Sequence, residues 1–144
     1  TGELYYAIKT ETILATSLTA EQLEILDAEM LCKGYEILNI YGFNRALYTV
    51  RTMELFMPST PQQRLSYFEG ILNGGVINLV MKKLLEDKIK NVAVYGSDIY
   101  IEMYRILFQK YFPETVFEGI KSEQEIPYSA RGFLAISGMG STEI

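Results

Sequence analysis

Three short groups of residues in the second half of the chain have the types and spacing that can hold a phosphate or a sugar. The first is a turn after the apolar run 91–95, the second is a carboxylate 22 residues beyond Gly96, and the third is a small, hydroxyl-rich loop. Backbone amides at a helix start bind phosphate, and a carboxylate at a strand end can accept hydrogen bonds from ribose hydroxyls. The candidate cofactor-binding residues are Gly96, Ser97, Asp98, Glu118, Gly138, Gly140 and Ser141.

The turn at Gly96 departs from the glycine fingerprint of dinucleotide-binding proteins. Gly96 occupies the first glycine position, but Asp98 and Ile101 occupy the second and third. Asp98 would complement the positive end of the helix dipole and would also repel a phosphate from that place. Ile101 would push the helix away from the strand or tilt it. We therefore interpret the turn as structural first and expect no cofactor, with nucleotide or NAD binding left open.

Glu118 and the loop at 138–141 can also be interpreted without any ligand. Glu118 could be a solvated charge at a strand end, and the loop at 138–141 could be a flexible terminus. If the loop binds, it lies at the carboxyl edge where open α/β sheets hold ligands.

The composition excludes several kinds of catalytic site. The chain has no histidine and one cysteine, so it cannot form a Ser-His-Asp triad, a Cys-His pair, a histidine zinc site or a thiolate cluster. Cys32 lies near the end of an apolar helix face and is interpreted as a small buried residue. We predict no catalytic residue and no metal ligand in this chain.

The charge and hydropathy of the chain argue against two classes of partner, nucleic acids and membranes. The net charge is −5, and the 13 lysines and arginines are scattered, which argues against nucleic acid. No apolar run approaches the roughly 20 residues that span a bilayer, and no leader peptide is evident. We expect a cytoplasmic protein that does not insert into membranes, and a chain that opens on Thr1 is expected to be part of a larger polypeptide.

Periodicity predicts the elements of the first half. We expect a strand within 4–15 and a helix from a cap at Thr19 to a stop at Gly34. A strand at 36–41, a turn at Gly42 and a helix capped by Asn44 should follow.

The second half alternates strands and helices. A capping box at Thr60 and Gln63 should start a helix at Pro61 that kinks or breaks at the glycines of 73–75. Strands are predicted at 91–96, 115–120 and 132–137, with a helix at 98–112. This order predicts an α/β, Rossmann-like fold of three layers with a mostly parallel sheet. Residues 1–144 would form one domain, with 89–144 as a Rossmann-like half.

The stretches KNVAVYGSDIYIEMYRILFQ and FLAISGMGSTEI resemble the Rossmann-like modules attached to bacterial glycosyltransferases, methyltransferases and sugar-modifying enzymes of surface-polysaccharide biosynthesis. The likeness covers about residues 89–144. The chain keeps Tyr95, Gly96 and the helix pattern of those modules and departs from them at Asp98 and Ile101.

The resemblance implies a non-catalytic accessory module that serves packing, oligomerisation or weak ligand sensing in a bacterial polysaccharide-biosynthesis protein. One alternative is an enzyme domain that binds a nucleotide, a nucleotide sugar, NAD or S-adenosylmethionine. The other is a protein-interaction module, because 11 tyrosines and seven phenylalanines are many for a core of this size. A homodimer would be compatible with the accessory module and with the protein-interaction module.

Overall fold

The computed structural model describes residues 2–121, which form five α-helices, one short 3₁₀ helix and two strands. The predicted strand at 132–137 and the loop at 138–141 lie outside the described residues. The elements in chain order are α1 (Gly2–Glu11), the 3₁₀ helix (Ile13–Thr16), α2 (Ala28–Tyr41), α3 (Phe43–Phe56), α4 (Pro61–Asp87), β1 (Asn91–Gly96), α5 (Asp98–Tyr111) and β2 (Val116–Lys121).

The strand predicted within 4–15 is wrong, because residues 2–11 form α1. Ile8 is buried and Tyr5 packs against Phe68 of α4, with ring centroids 5.5 Å apart. Tyr5 and Ile8 are three residues apart and therefore lie on one face of a helix. The short apolar pattern within 4–15 is compatible with a helix as well as with a strand. Thr12 ends α1 and caps the 3₁₀ helix by accepting a hydrogen bond from the Leu14 amide at 3.1 Å.

Helix α2 replaces both the helix predicted to end at Gly34 and the strand predicted at 36–41. It begins later than predicted, at a cap formed by Asp27, whose Oδ1 accepts a hydrogen bond from the Met30 amide at 3.0 Å. Gly34 lies inside the helix and does not end it. A Cβ at Gly34 would lie 2.0 Å from the Tyr67 carbonyl oxygen of α4, so this glycine permits close helix packing.

Helix α3 follows the turn predicted at Gly42, which has a positive φ of 77°. Gly42 itself occupies the capping position, so the cap predicted at Asn44 is wrong. The buried face of α3 contains Val50 and Met53, as the periodicity indicates.

Helix α4 has the predicted capping box. Thr60 accepts a hydrogen bond from the Gln63 amide at 3.2 Å, and the Gln63 side chain accepts one from the Thr60 amide at 3.0 Å. The helix continues to Asp87, so the predicted break at 73–75 is wrong, and a kink there stays a prediction. Gly74 is buried against Tyr35 and Leu38 of α2, and this tertiary contact offsets the cost of a glycine within a helix.

The two strands form a parallel pair joined through α5, so an α/β chain with a parallel sheet is confirmed. Asn91 pairs with Val116 and Gly96 with Lys121. Along β1, Val92 and Val94 are partly buried while Ala93 and Tyr95 are exposed. Residues 2–121 are mostly helical and contain this sheet of two strands, so they do not show the three-layer Rossmann-like architecture.

The buried side chains form two clusters that share α2 and α4. One lies between α1, α3 and the first half of α4, and the other lies between α2, α4 and α5. Cys32 belongs to the second cluster, which confirms its interpretation as a buried residue. Among the helices within 2–121, none has the length and apolarity needed to cross a membrane.

Candidate functional site: a cleft at the carboxyl edge of the strands

An open cleft of about 490 Å³ lies where β2 ends and α5 begins. Helix α5 and strand β2 supply most of its lining, and the segment before α2 supplies one wall. Its lining residues are Glu24, Leu26, Asp98, Ile99, Ile101, Glu102, Arg105, Gly119 and Lys121. The carboxyl ends of parallel strands are the usual place for ligands in α/β proteins.

The start of α5 presents backbone amides near this cleft. Ser97 occupies the capping position, and its side chain makes no capping hydrogen bond. The first amides of a helix lack partners within the helix and carry part of the positive dipole end. The turn could therefore still bind an anion through its backbone.

Asp98 lies in the first turn of α5, where its charge complements the helix dipole, and Ser97 occupies the capping position. The Asp98 Oδ1 atom lies 2.9 Å from Nζ of Lys121, and both side chains are more than half exposed. The register of the sheet creates this ion pair, since Lys121 lies beside Gly96 at the end of β2. Lys121 offsets the repulsion that Asp98 alone would exert on a phosphate.

A second ion pair lies one turn further along α5. Arg105 pairs with Glu102, and its guanidinium group also lies 5.7 Å from the centre of the Phe117 ring. With Glu24, the cleft contains three carboxylates and two cations. It is therefore of mixed charge, which suits a ligand that offers hydroxyl groups as well as an anion.

Ile101 does not push α5 away from the sheet, contrary to the prediction. It is buried, and a Cβ at Gly119 would lie 2.3 Å from its Cγ2 atom. The glycine that allows close packing of strand and helix is thus in β2 and not in the turn. The contact between Gly119 and Ile101 keeps α5 close to the sheet, and these two residues line the cleft.

Hydrogen bonds from α4 hold the outer wall of the cleft in place. The side-chain oxygen of Gln62 accepts from the amides of Glu24 and Ile25, and its Nε2 donates to the Gln22 carbonyl at 3.0 Å. Ser66 accepts from the Asp27 amide at 3.0 Å. The segment predicted as the start of a helix at Thr19 is therefore an ordered wall, because side chains of α4 satisfy its backbone.

The structure brings some predicted site residues together and separates others. Gly96 and Ser97 lead into the cleft and Asp98 lines it. Glu118 pairs in register with Ala93, three residues before the strand end, and is exposed. Gly138, Gly140 and Ser141 lie outside the described residues. Ligand binding by any of these residues stays a prediction.

Sequence reasoning missed the ion-pair partners Lys121 and Arg105 and the wall residue Glu24. Lys121 follows the second predicted strand directly, so the register of a parallel pair could have placed it beside Gly96. The position of Glu24 had no local signal, because Gln62 holds that segment from 38 residues away.

A helix that joins two parallel strands, with a cleft at their carboxyl edge, defines an α/β protein whose cleft lies where such folds bind ligands. The family model of 2-keto-3-deoxy-galactonokinase matches residues 1–119 of the 144. The chain therefore belongs to the 2-keto-3-deoxy-galactonokinase family. No curated protein and no solved structure matches it. The matched family is one of carbohydrate kinases, and this match gives no support to the resemblance to Rossmann-like modules of polysaccharide biosynthesis.

Proposed function

We propose that this chain contributes the nucleotide-binding part of a kinase that transfers a phosphoryl group to a 2-keto-3-deoxy sugar acid. The observation that carries the proposal is the family match over residues 1–119. It agrees with the alternative in which the turn at Gly96 belongs to a nucleotide-binding enzyme domain.

The cleft supports this role through its position and its charges. Phosphoryl transfer depends on positioning the nucleotide and balancing the charge of its phosphates. The amides at the start of α5 and the Lys121 ammonium group are suited to a phosphate, while Glu24 and Glu102 are suited to ribose hydroxyls. Leu26 and Ile99 give the cleft an apolar wall for a base.

An activity assay on the natural-length protein that contains this chain tests the proposed reaction. With ATP and Mg²⁺, it should phosphorylate 2-keto-3-deoxy-galactonate and form ADP in equal amount. Related sugar acids that lack the 2-keto group serve as the comparison. A folded protein that does not phosphorylate 2-keto-3-deoxy-galactonate, or that phosphorylates the comparison acids equally well, would overturn the proposal.

Paired charge variants test whether the nucleotide binds in this cleft. Asp98→Asn should lower the KM for ATP, because it removes a carboxylate that repels the phosphates. Lys121→Gln should raise that KM. Since the pair is exposed, each change should be about twofold to fivefold.

Asp87→Asn is the matched control for these variants, because Asp87 forms an exposed ion pair with Lys83 at the far end of α4. It should leave the KM unchanged. An active enzyme in which Asp98→Asn and Lys121→Gln behave like Asp87→Asn would place the nucleotide elsewhere.

The non-catalytic accessory role remains a second proposal, and the interaction module remains its alternative. Exposed apolar side chains near α1 and α3, among them Ile13 and Tyr48, line an apolar groove of about 410 Å³ that favours a role in association. A natural-length protein that is folded and dimeric but inactive would favour this role. A larger polypeptide, a cytoplasmic location and the lack of nucleic-acid binding remain parts of the same expectation.

A further inference from the structure

Glu69 is a buried carboxyl group that neither the cleft nor the proposed reaction uses. It lies in the middle of α4 with 1% of its surface exposed. Its Oε2 atom accepts a hydrogen bond from Nδ2 of Asn73 at 2.7 Å, and its Oε1 atom accepts a long one from the Tyr100 hydroxyl at 3.5 Å. Among the described residues, no cation forms an ion pair with it.

A small cavity of about 100 Å³, partly open to solvent, borders Glu69 and is lined on one side by α1. Gly2 and Tyr5 of α1 form one side, and α4 and α5 form the others. Glu69, Asn73 and Tyr100 contribute polar groups to its otherwise mostly apolar lining, and a cavity of this size has room for water molecules that bind to such groups. A change in the charge of Glu69 would therefore act on the packing of α1.

Several groups face Glu69 from the three helices packed around it. From α1, Lys9 favours the ionised form through its charge, although its ammonium group donates to the Glu21 carbonyl oxygen. From α5, the Tyr104 hydroxyl donates to Asn73 Oδ1 at 3.0 Å. Within residues 2–121, the groups that face Glu69 are Tyr5, Lys9, Asn73, Tyr100 and Tyr104.

Of the carboxyl and hydroxyl groups in this cluster, Glu69 is the one expected to titrate near neutral pH. Burial raises the pKa of Glu69 to about 7, against hydrogen bonds from Asn73 and Tyr100 that lower it. Burial and the charge of Glu69 raise the pKa of Tyr5 to about 12. The same two causes raise the pKa values of Tyr100 and Tyr104, so all three hydroxyls stay protonated.

Helix α1 is the least firmly held of the three helices around this carboxyl group. It has 10 residues and buries one of them, Ile8, whereas α5 buries four, among them Met103 and Phe108. A helix of this length is marginal without tertiary contacts. Local opening at low cost is expected for an element with few buried contacts.

We propose that α1 is a pH-sensitive lid, which lies closed over a protonated Glu69 and lifts when that carboxyl group ionises and takes up water. The inference goes beyond the proposed kinase function and does not depend on it. A carboxyl group whose pKa is raised in the closed state stabilises that state below its ordinary pKa. This stabilisation is lost as the pH rises from about 4.5 through about 7.

Hydrogen–deuterium exchange on the natural-length protein tests the lid. Amides in 2–11 of the wild type should exchange about tenfold or more faster than those of Glu69→Gln at about pH 8. At about pH 5 the difference should shrink to about fourfold or less, because Glu69 is then neutral in the closed state and ionises only in the open one. Comparison at one pH removes the intrinsic pH dependence of exchange. Glu86→Gln, an exposed change on the same helix, should match the wild type at both pH values.

The wild type alone gives a second measurement that does not require the variant to fold. The exchange rate of 2–11 divided by that of 28–41 should rise with pH, with a midpoint near 7. A flat ratio would overturn the proposal. So would equal exchange of the wild type and Glu69→Gln at about pH 8, or a difference between them that is as large at about pH 5 as at about pH 8.

Discussion

At the scale of single residues, two glycines that each precede a helix have different roles. Gly42 has a φ of 77° and a ψ of 168°, a combination that is almost confined to glycine. Gly96 does not have a positive φ, and a Cβ there would lie 3.7 Å from the Tyr100 Cβ atom, an ordinary contact. Neither the backbone nor the packing therefore requires glycine at position 96.

Alanine substitutions should separate these two glycines. Gly42→Ala should lower the free energy of unfolding by about 1–3 kcal/mol, because it forces a side chain into a strained backbone conformation. Gly96→Ala should leave it unchanged or raise it by a few tenths of a kcal/mol, since alanine restricts the unfolded chain. Urea denaturation measures both. A larger loss for Gly96→Ala than for Gly42→Ala would contradict this assignment.

The contact between Gly119 and Ile101 yields a second prediction at this scale. Gly119→Ala should destabilise the protein by about 1–3 kcal/mol, because the added methyl group would overlap the Ile101 Cγ2 atom. In an Ile101→Ala background that atom is absent, so adding Gly119→Ala should cost much less. A double-mutant cycle in urea measures this coupling. Additive effects would mean that the strand and helix separate freely.

At the scale of elements, the crossing of α2 and α4 depends on glycines that meet the facing backbone. A Cβ at Gly34 would lie 2.0 Å from the Tyr67 carbonyl oxygen, and one at Gly70 would lie 2.0 Å from the Leu31 carbonyl oxygen. Backbone atoms cannot rotate away as side chains do, so a methyl group here must separate the helices. Gly75 lies on the same helix as Gly70, but a Cβ there would have no neighbouring atom within 4 Å.

Gly70→Ala and Gly75→Ala form a matched pair on one helix. Gly70→Ala should destabilise the protein by about 2–3 kcal/mol or more through overpacking. Gly75→Ala should stabilise it by about 0.5–1 kcal/mol, since alanine is the better helix former. Thermal unfolding followed by helical circular dichroism compares them. Equal effects would show that helix propensity and not the crossing governs both positions.

At the scale of the whole molecule, α2 and α4 connect the two buried clusters. Leu38 and Ile71 belong to the first cluster, while Tyr35 and Ile77 belong to the second. Loss of packing in either cluster should therefore weaken the helices that support the other. The prediction of a single domain depends on this coupling.

Substitutions that create a cavity in one cluster test whether the two buried clusters unfold together. Met53→Ala in the first cluster and Leu107→Ala in the second should each cost about 2–5 kcal/mol. In both variants the methyl NMR signals of Ile71 and Ile77 should disappear at the same urea concentration. If each variant shifted the transition of its own cluster alone, the chain would contain two independent units.

Features whose causes are local could be predicted from the sequence alone. The capping box at Thr60 and Gln63, the turn at Gly42 and the order of β1, α5 and β2 follow from hydrogen bonds or periodicity within a few residues. The position of the turn at Gly96, between β1 and α5, could also be predicted from the sequence. The structure contains these features as predicted, because no contact with a distant part of the chain opposes them.

The tertiary structure decided the features that depend on distant neighbours. Gly34 and Gly74 resemble helix stops in the sequence, but they lie within helices because each faces another helix at close range. The short apolar runs at 4–15 and 36–41 fit a strand or a helix until their packing partners are known. The cleft likewise depends on register and on Gln62, which place Lys121 and Glu24 beside α5.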